Sequence, residues 1–159
     1  MSTKAFQDYY ADDFAHCYGC GRLNEHGLHI KSYWDGEESV CHFQPEPYHT
    51  GGFTGNVYGG TIASLIDCHG AGTAMAAFRR RHGKALNAHP PIRFVTAALH
   101  VDYLAPTPID ATLELRGKAK EIKGRKVIVV ITLSAKGKVR ATGEVVMVQI
   151  PDHLPSGND

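Results

Sequence analysis

The period of the apolar positions changes twice along the chain. In LHIKSYWDGEESVCHFQ (28–44), apolar and polar residues alternate in two runs around DGEE, the pattern of two strands joined by a turn. Over 59–81 the spacing turns helical, with Ile62, Leu65, Ile66, Thr73, Ala74 and Ala77 at near-helical intervals. Alternation then returns in IRFVTAALHVDYLAP, ATLELRGKAKEI, KVIVVITLSA and VRATGEVVMVQI, broken at Pro106, KGR and KGK. The loops PEPYHTGGFTGNV and HGKALNAHPP, rich in Gly and Pro, flank the helix. This order predicts two strands, one long helix and four strands in a meander, an α+β layout with one antiparallel sheet on one helix. Ala63, Gly70, Ala71, Gly72 and Ala76 make the helix unusually small-sided, and its glycines cost helix propensity. Such a helix suits a sheet wrapped closely around it.

Neither repeats nor low-complexity segments interrupt the 159 residues, which suit one domain with a leader (1–27), a core (28–150) and a tail (151–159). Apolar content of 43% and charged content of 21% are ordinary for a globular chain, and a net charge of +1 gives no field that points to nucleic acid. No apolar run reaches the roughly 20 residues of a membrane helix, and the N-terminus lacks a signal-peptide core. A cytoplasmic location is expected, with the four cysteines as reduced thiols. The basic clusters RRRHGK (79–84) and KAKEIKGRK (118–126) read either as solvated surface or as a seat for ligand phosphates.

The helix opening YGGTIASLID, with Asp67 seven residues after Gly60, resembles the hotdog-fold acyl-CoA thioesterases of the phenylacetic-acid-degradation type. So do TAALHVDYLAPTP, with Thr96 seven residues before Tyr103, and the leader C-x-G-C-G…N-x-x-G-L from Cys17 to Leu28. The resemblance covers residues 17 to 150. It implies a six-stranded antiparallel sheet wrapped around one long central helix, sheets joined edge to edge in a dimer or dimer of dimers, and sites at the subunit interface. It implies an acyl-CoA substrate and no cofactor apart from the coenzyme A that the substrate carries. No metal, nucleic acid or membrane partner is expected. Tyr58 stands where the family usually has His, and Gly52 where some relatives carry Asn or Gln; Asn56 and His49 are nearby substitutes for that helper.

A helix N-terminus offers unsatisfied N–H groups and partial positive charge, and glycine lets a carbonyl approach them. For a thioester hydrolase the Gly60 N–H is the candidate oxyanion donor, with Gly59 shaping the approach. Asp67 returns to nearly the same helix face, but about 10 Å further along the axis. A carbonyl at Gly60 is therefore out of reach of Asp67 in the same chain. Either Asp67 is structural, or two antiparallel helices bring each Asp67 toward the other chain's Gly60. In a site, Asp67 would be general base on water, the preferred role, or nucleophile, with Thr96 holding it or the water and burial raising its pKa.

Cys68 and His69 point about 100° apart and do not form a dyad; His69 either lines the acyl pocket or packs on the sheet. Cys17-x-x-Cys20 is half a zinc site by spacing, but no second half is evident, and a leader with buried thiols is the expectation. Arg125 and Lys126 at a hairpin, and Arg79 with its neighbours at the helix end, are candidates for the coenzyme A phosphates. The alternative function is a non-catalytic hotdog module that binds acyl-CoA or a protein partner.

Overall fold

A computed structural model describes residues 4–151; all of the tail except Pro151 lies outside them. Two short 3-10 turns, Phe6–Tyr9 and Asp12–Phe14, open the leader. They are followed by β1 (Tyr33–Asp35), β2 (Glu38–Phe43), α1 (Gly59–Arg81), β3 (Arg93–Tyr103), β4 (Leu113–Lys123), β5 (Lys126–Ala135) and β6 (Lys138–Ile150). The strands form one sheet in the order β1-β2-β4-β5-β6-β3, antiparallel throughout, with α1 packed on its inner face. This is the hotdog arrangement.

Two expectations are corrected. Only β4, β5 and β6 form a meander, because β2 occupies the place beside β4 and β3 runs along the far side of β6. The connection 104–112 carries the chain between these two positions and is itself anchored to the loop before α1, through Val57 N–H on Thr107 O (2.8 Å). The first strand is also shorter than the alternation from Leu28 suggests. Leu28 N–H bonds to Tyr18 O (2.8 Å) and Ile30 N–H to Gly19 O (3.0 Å), so this stretch pairs with the leader instead of extending β1.

α1 starts at Gly59 after an extended Tyr58 and ends on Arg79, Arg80 and Arg81, cations that suit the negative end of a helix. It is buried nearly all round, as befits a helix wrapped by a sheet. Val127, Val129, Ile131 and Leu133 of β5, with Leu113 and Leu115 of β4 and Val145 and Met147 of β6, close over it, all buried. A Cβ on Gly70 would lie 2.9 Å from Val145 Cγ2, which accounts for the glycine. Between Gly60 and Ala77 only one stripe escapes full burial: Gly60, Ala63, Ser64, Asp67 and Ala71.

His69 sits on the opposite side of the helix and is fully buried. Gln7 Nε2 donates to Ser32 Oγ (2.9 Å), which lies 2.8 Å from His69 Nδ1. His69 Nε2 lies 3.0 Å from Ser39 Oγ, which is 2.6 Å from Thr73 Oγ1, and Thr73 donates to His69 O (2.7 Å). One neutral tautomer, protonated at Nε2, satisfies every link in a single sense. Burial keeps it neutral, pushing its pKa down to about 3. His69 thus packs, fully buried, between helix and sheet.

Candidate functional site

The half-exposed stripe of α1 faces the uncovered edge of the sheet. There β3 runs as an edge strand with Val95, Leu99 and Tyr103 exposed. Thr96 on β3 donates to Asp67 Oδ1 at 2.6 Å, a short bond of the charge-assisted kind. Burial raises the Asp67 pKa, the Thr96 hydroxyl opposes that rise, and the nearby Cys17 adds to it. A cavity of about 380 Å³ opens beside this pair. Asp67, Cys68 and Ala71 of the helix line it, with Tyr10, Phe14 and Cys17 from the leader and Phe94, Thr96 and Met147 from the sheet. Its walls are mostly apolar, with a few convergent polar groups, as small-molecule sites tend to be. A second concavity of about 450 Å³ is lined by Glu38, Arg116, His100, Asp102 and Glu144 among others. Its charges are largely paired with one another, as in Arg116–Glu38 and His100–Asp102, and it touches no helix terminus.

At the helix start, Gly59 O accepts the Tyr103 hydroxyl at 2.7 Å, so β3 bonds to the helix at two points: Tyr103 at Gly59 and Thr96 at Asp67. Ser64 donates to Gly60 O (2.8 Å). The Tyr58 ring lies directly over Gly60, where a Cβ would overlap it, and is itself 58% exposed. The structure therefore brings Asp67 and Thr96 together and leaves Gly60 two turns away.

Other expected site residues are placed elsewhere. Asn56 is in a backbone bridge to Pro108, and His49 accepts the Glu46 N–H at Nδ1 (2.9 Å) against Phe43 and Tyr48; neither lines the cavity beside Asp67. Arg79 is buried, and its guanidinium donates to Ala88 O (2.7 Å) and Pro90 O (2.8 Å), which fixes the loop after α1. Arg80 is likewise engaged, stacked 3.6 Å over Trp34. Arg125 and Lys126 lie at the β4–β5 hairpin, where Lys126 pairs with Glu121 at 3.5 Å.

The leader contributes what local spacing could not reveal. Cys17, Cys20 and Cys68 bring their sulphurs within 4.8 Å of one another, with Cys17 and Cys68 3.8 Å apart. Cys68 is 51 residues from Cys17, on the central helix. Donation from the Cys20 and Cys68 thiols lowers the Cys17 pKa, while the bond to Cys17 raises that of each partner.

Residues 54–142 match the family model of the Thioesterase superfamily. The chain belongs to that superfamily. A Thioesterase superfamily protein of known crystal structure from Shewanella loihica PV-4 is 48% identical, covering 88% of this chain and 98% of its own, with a TM-score of 0.67. The acyl-coenzyme A thioesterase THEM4 of Xenopus laevis is 38% identical over 91 residues, which are 55% of this chain. Those residues are 33% of THEM4, so the match spans about a third of that relative's length. A phenylacetic acid degradation-related protein from Ralstonia eutropha JMP134 shares the fold at 18% identity, with a TM-score of 0.63 over 76% of this chain and 85% of its own.

Proposed function

We propose that this protein is an acyl-CoA thioesterase of the phenylacetic-acid-degradation type, acting as a homodimer or dimer of dimers with its sites between subunits. The observation that carries the reading is the single uncovered stripe of α1. On an otherwise buried helix it presents Gly60, Ser64 and Asp67, and Asp67 is already oriented by Thr96 from an open sheet edge. An edge strand as long and as exposed as β3 invites pairing with another strand. A second copy laid antiparallel would extend the sheet and bring its Gly60 toward this chain's Asp67.

In that site Asp67 accepts a proton from water, and the water oxygen attacks the thioester carbonyl. The Gly60 N–H of the other copy donates to the oxyanion, from a helix terminus that needs no reorganisation. Collapse expels the coenzyme A thiolate, and the proton on Asp67 returns to it. Base catalysis needs only a water within reach of Asp67; attack by the carboxylate itself, through an anhydride, is the second route. No cofactor enters either route. The cavity beside Asp67 takes the acyl group, and the exposed Arg125 and the half-buried Lys126 are the candidates for the coenzyme A phosphates.

The test is hydrolysis of a panel of acyl-CoAs by the parent and by Asp67→Asn. A general base contributes roughly 10²- to 10⁴-fold, so the variant should lose about that much turnover. A retained rate removes Asp67 from the mechanism, and a monomer that still turns over removes the shared site. The Tyr58 ring over Gly60 favours one other reading, a non-catalytic module for acyl-CoA or a protein partner. Thermal stabilisation by acyl-CoA without hydrolysis would select it.

A further inference from the structure

The three leader and helix thiols beside the cavity are not used by the hydrolytic reaction. We propose that Cys17, Cys20 and Cys68 form a binding site for a thiophilic divalent cation, Zn²⁺, that ties the leader to the central helix next to Asp67.

Geometry supports it first. With Zn–S bonds of about 2.3 Å, the edges of a tetrahedral thiolate site are about 3.8 Å long. The Cys17 and Cys68 sulphurs stand 3.8 Å apart, and Cys20 Sγ lies within 4.8 Å of both. A disulfide needs about 2.05 Å, so Cys17 and Cys68, at 3.8 Å, would have to close by well over an ångström. Among the described residues this is the only group of three or more Cys, His, Asp or Glu whose donor atoms converge in this way.

The backbone supports it second. Cys17-Tyr18-Gly19-Cys20-Gly21 turns tightly, with Gly21 N–H on Cys17 O at 2.7 Å. Cys68 Sγ fills the space that a Cβ on Gly19 would need. A Cβ on Gly21 would run into Ala15 O at 2.5 Å. Both glycines therefore serve one turn, which delivers two sulphurs to a third on the helix. That turn also explains why a Cys-x-x-Cys pair with no second half in the sequence is still a site.

Three thiolates leave one coordination position. It is left to water or to a donor from the cavity that the same three cysteines line together with Asp67. The Asp67 carboxylate is outside the converging group. The ion therefore has a structural role, closing the leader wall of the cavity.

The experiment uses the full chain, fully reduced and stripped of metal, titrated with Co²⁺ and then Zn²⁺. We expect one equivalent of Co²⁺ to give near-ultraviolet thiolate-to-cobalt absorption and the visible bands of a tetrahedral site, both lost on adding Zn²⁺. Cys17→Ser, at an exposed position, and Cys68→Ala should each abolish them. Cys41→Ser, at a buried thiol outside the group, should retain them. The proposal is overturned if four titratable thiols are present and no such bands appear, or if the bands survive in Cys17→Ser. It is equally overturned if the isolated protein holds no metal and two of these thiols are lost to a disulfide. None of these readouts depends on hydrolysis, so this inference and the thioesterase reading can fail separately.

Discussion

Replacing Gly70 by alanine sets two known effects against each other at the centre of the fold. Alanine is better than glycine in a helix interior by about 0.8–1.0 kcal/mol. Against this, the new Cβ would lie 2.9 Å from Val145 Cγ2, 3.1 Å from Val145 Cβ and 3.3 Å from Ile131 Cδ1. Carbon atoms prefer about 3.5–4.0 Å, so the Val145 contact must open by roughly 0.6 Å or more. The Ile131 contact is the end of a flexible chain and can yield. Val145 cannot: it is branched at Cβ, fully buried, and paired on both sides, with Val129 of β5 and Leu99 of β3. Overpacking of this kind costs about 1–3 kcal/mol. The clash should therefore win, leaving Gly70→Ala about 1 kcal/mol less stable than the parent, or about 2–4 °C lower in Tm for a chain of this size. Urea unfolding of Gly70→Ala, Val145→Ala and the double variant measures it. Trimming Val145 removes the obstacle, so the double variant should recover about 1–2 kcal/mol relative to the sum of the singles. A more stable Gly70→Ala, or strict additivity, would refute the claim that the sheet's closeness dictates this glycine.

Three further outcomes are expected. Thr96→Val removes a bond to a carboxylate worth about 1.5–3 kcal/mol, so turnover of acyl-CoA should fall about ten- to a hundredfold with the fold intact by circular dichroism; an unchanged kcat would show that Asp67 needs no such holder. His69→Phe leaves Ser32 and Ser39 each short of a buried partner and should cost about 3 kcal/mol in chemical denaturation, whereas a loss below about 1 kcal/mol would mean that the polar chain is not cooperative. Arg79→Met strands the Ala88 and Pro90 carbonyls, so hydrogen exchange over 82–92 should quicken while KM for acyl-CoA stays unchanged; a raised KM would place Arg79 at the phosphate site.

The helix was legible in the sequence to the residue, because Gly59-Gly60 and the arginine run bound a segment whose small side chains demand close packing. The neighbours of the strands were not. Alternation marks a strand without saying which strand lies beside it, and nothing in 104–112 tells that β3 crosses to β6. Leu28 and Ile30 alternate like a strand, yet their N–H groups bond to the leader. Asp67 and Thr96 were legible as a pair only through resemblance; 29 residues separate them, and the bond forms because a helix face meets an edge strand. The acceptors of Arg79 could not be read in advance because they are backbone carbonyls, which leave no mark in residue identity. Cys68 was invisible as a partner of Cys17 and Cys20, since ligand spacing rules see only local pairs.

The chain of donors running from Gln7 through His69 to Thr73 has a consequence for how the polypeptide finds its partners during folding. It recruits the leader, the approach to β1, β2 and the helix, and with His69 protonated at Nε2 every link is donated in the same sense. Sliding β2 by one position would put Glu38 or Val40 where the imidazole requires a hydroxyl and turn the rest of the strand inside out. Mispaired collapse therefore meets a combination lock: four segments must be aligned together before any of them is free of penalty, and apolar contacts alone, tolerant of small offsets, would set no such condition.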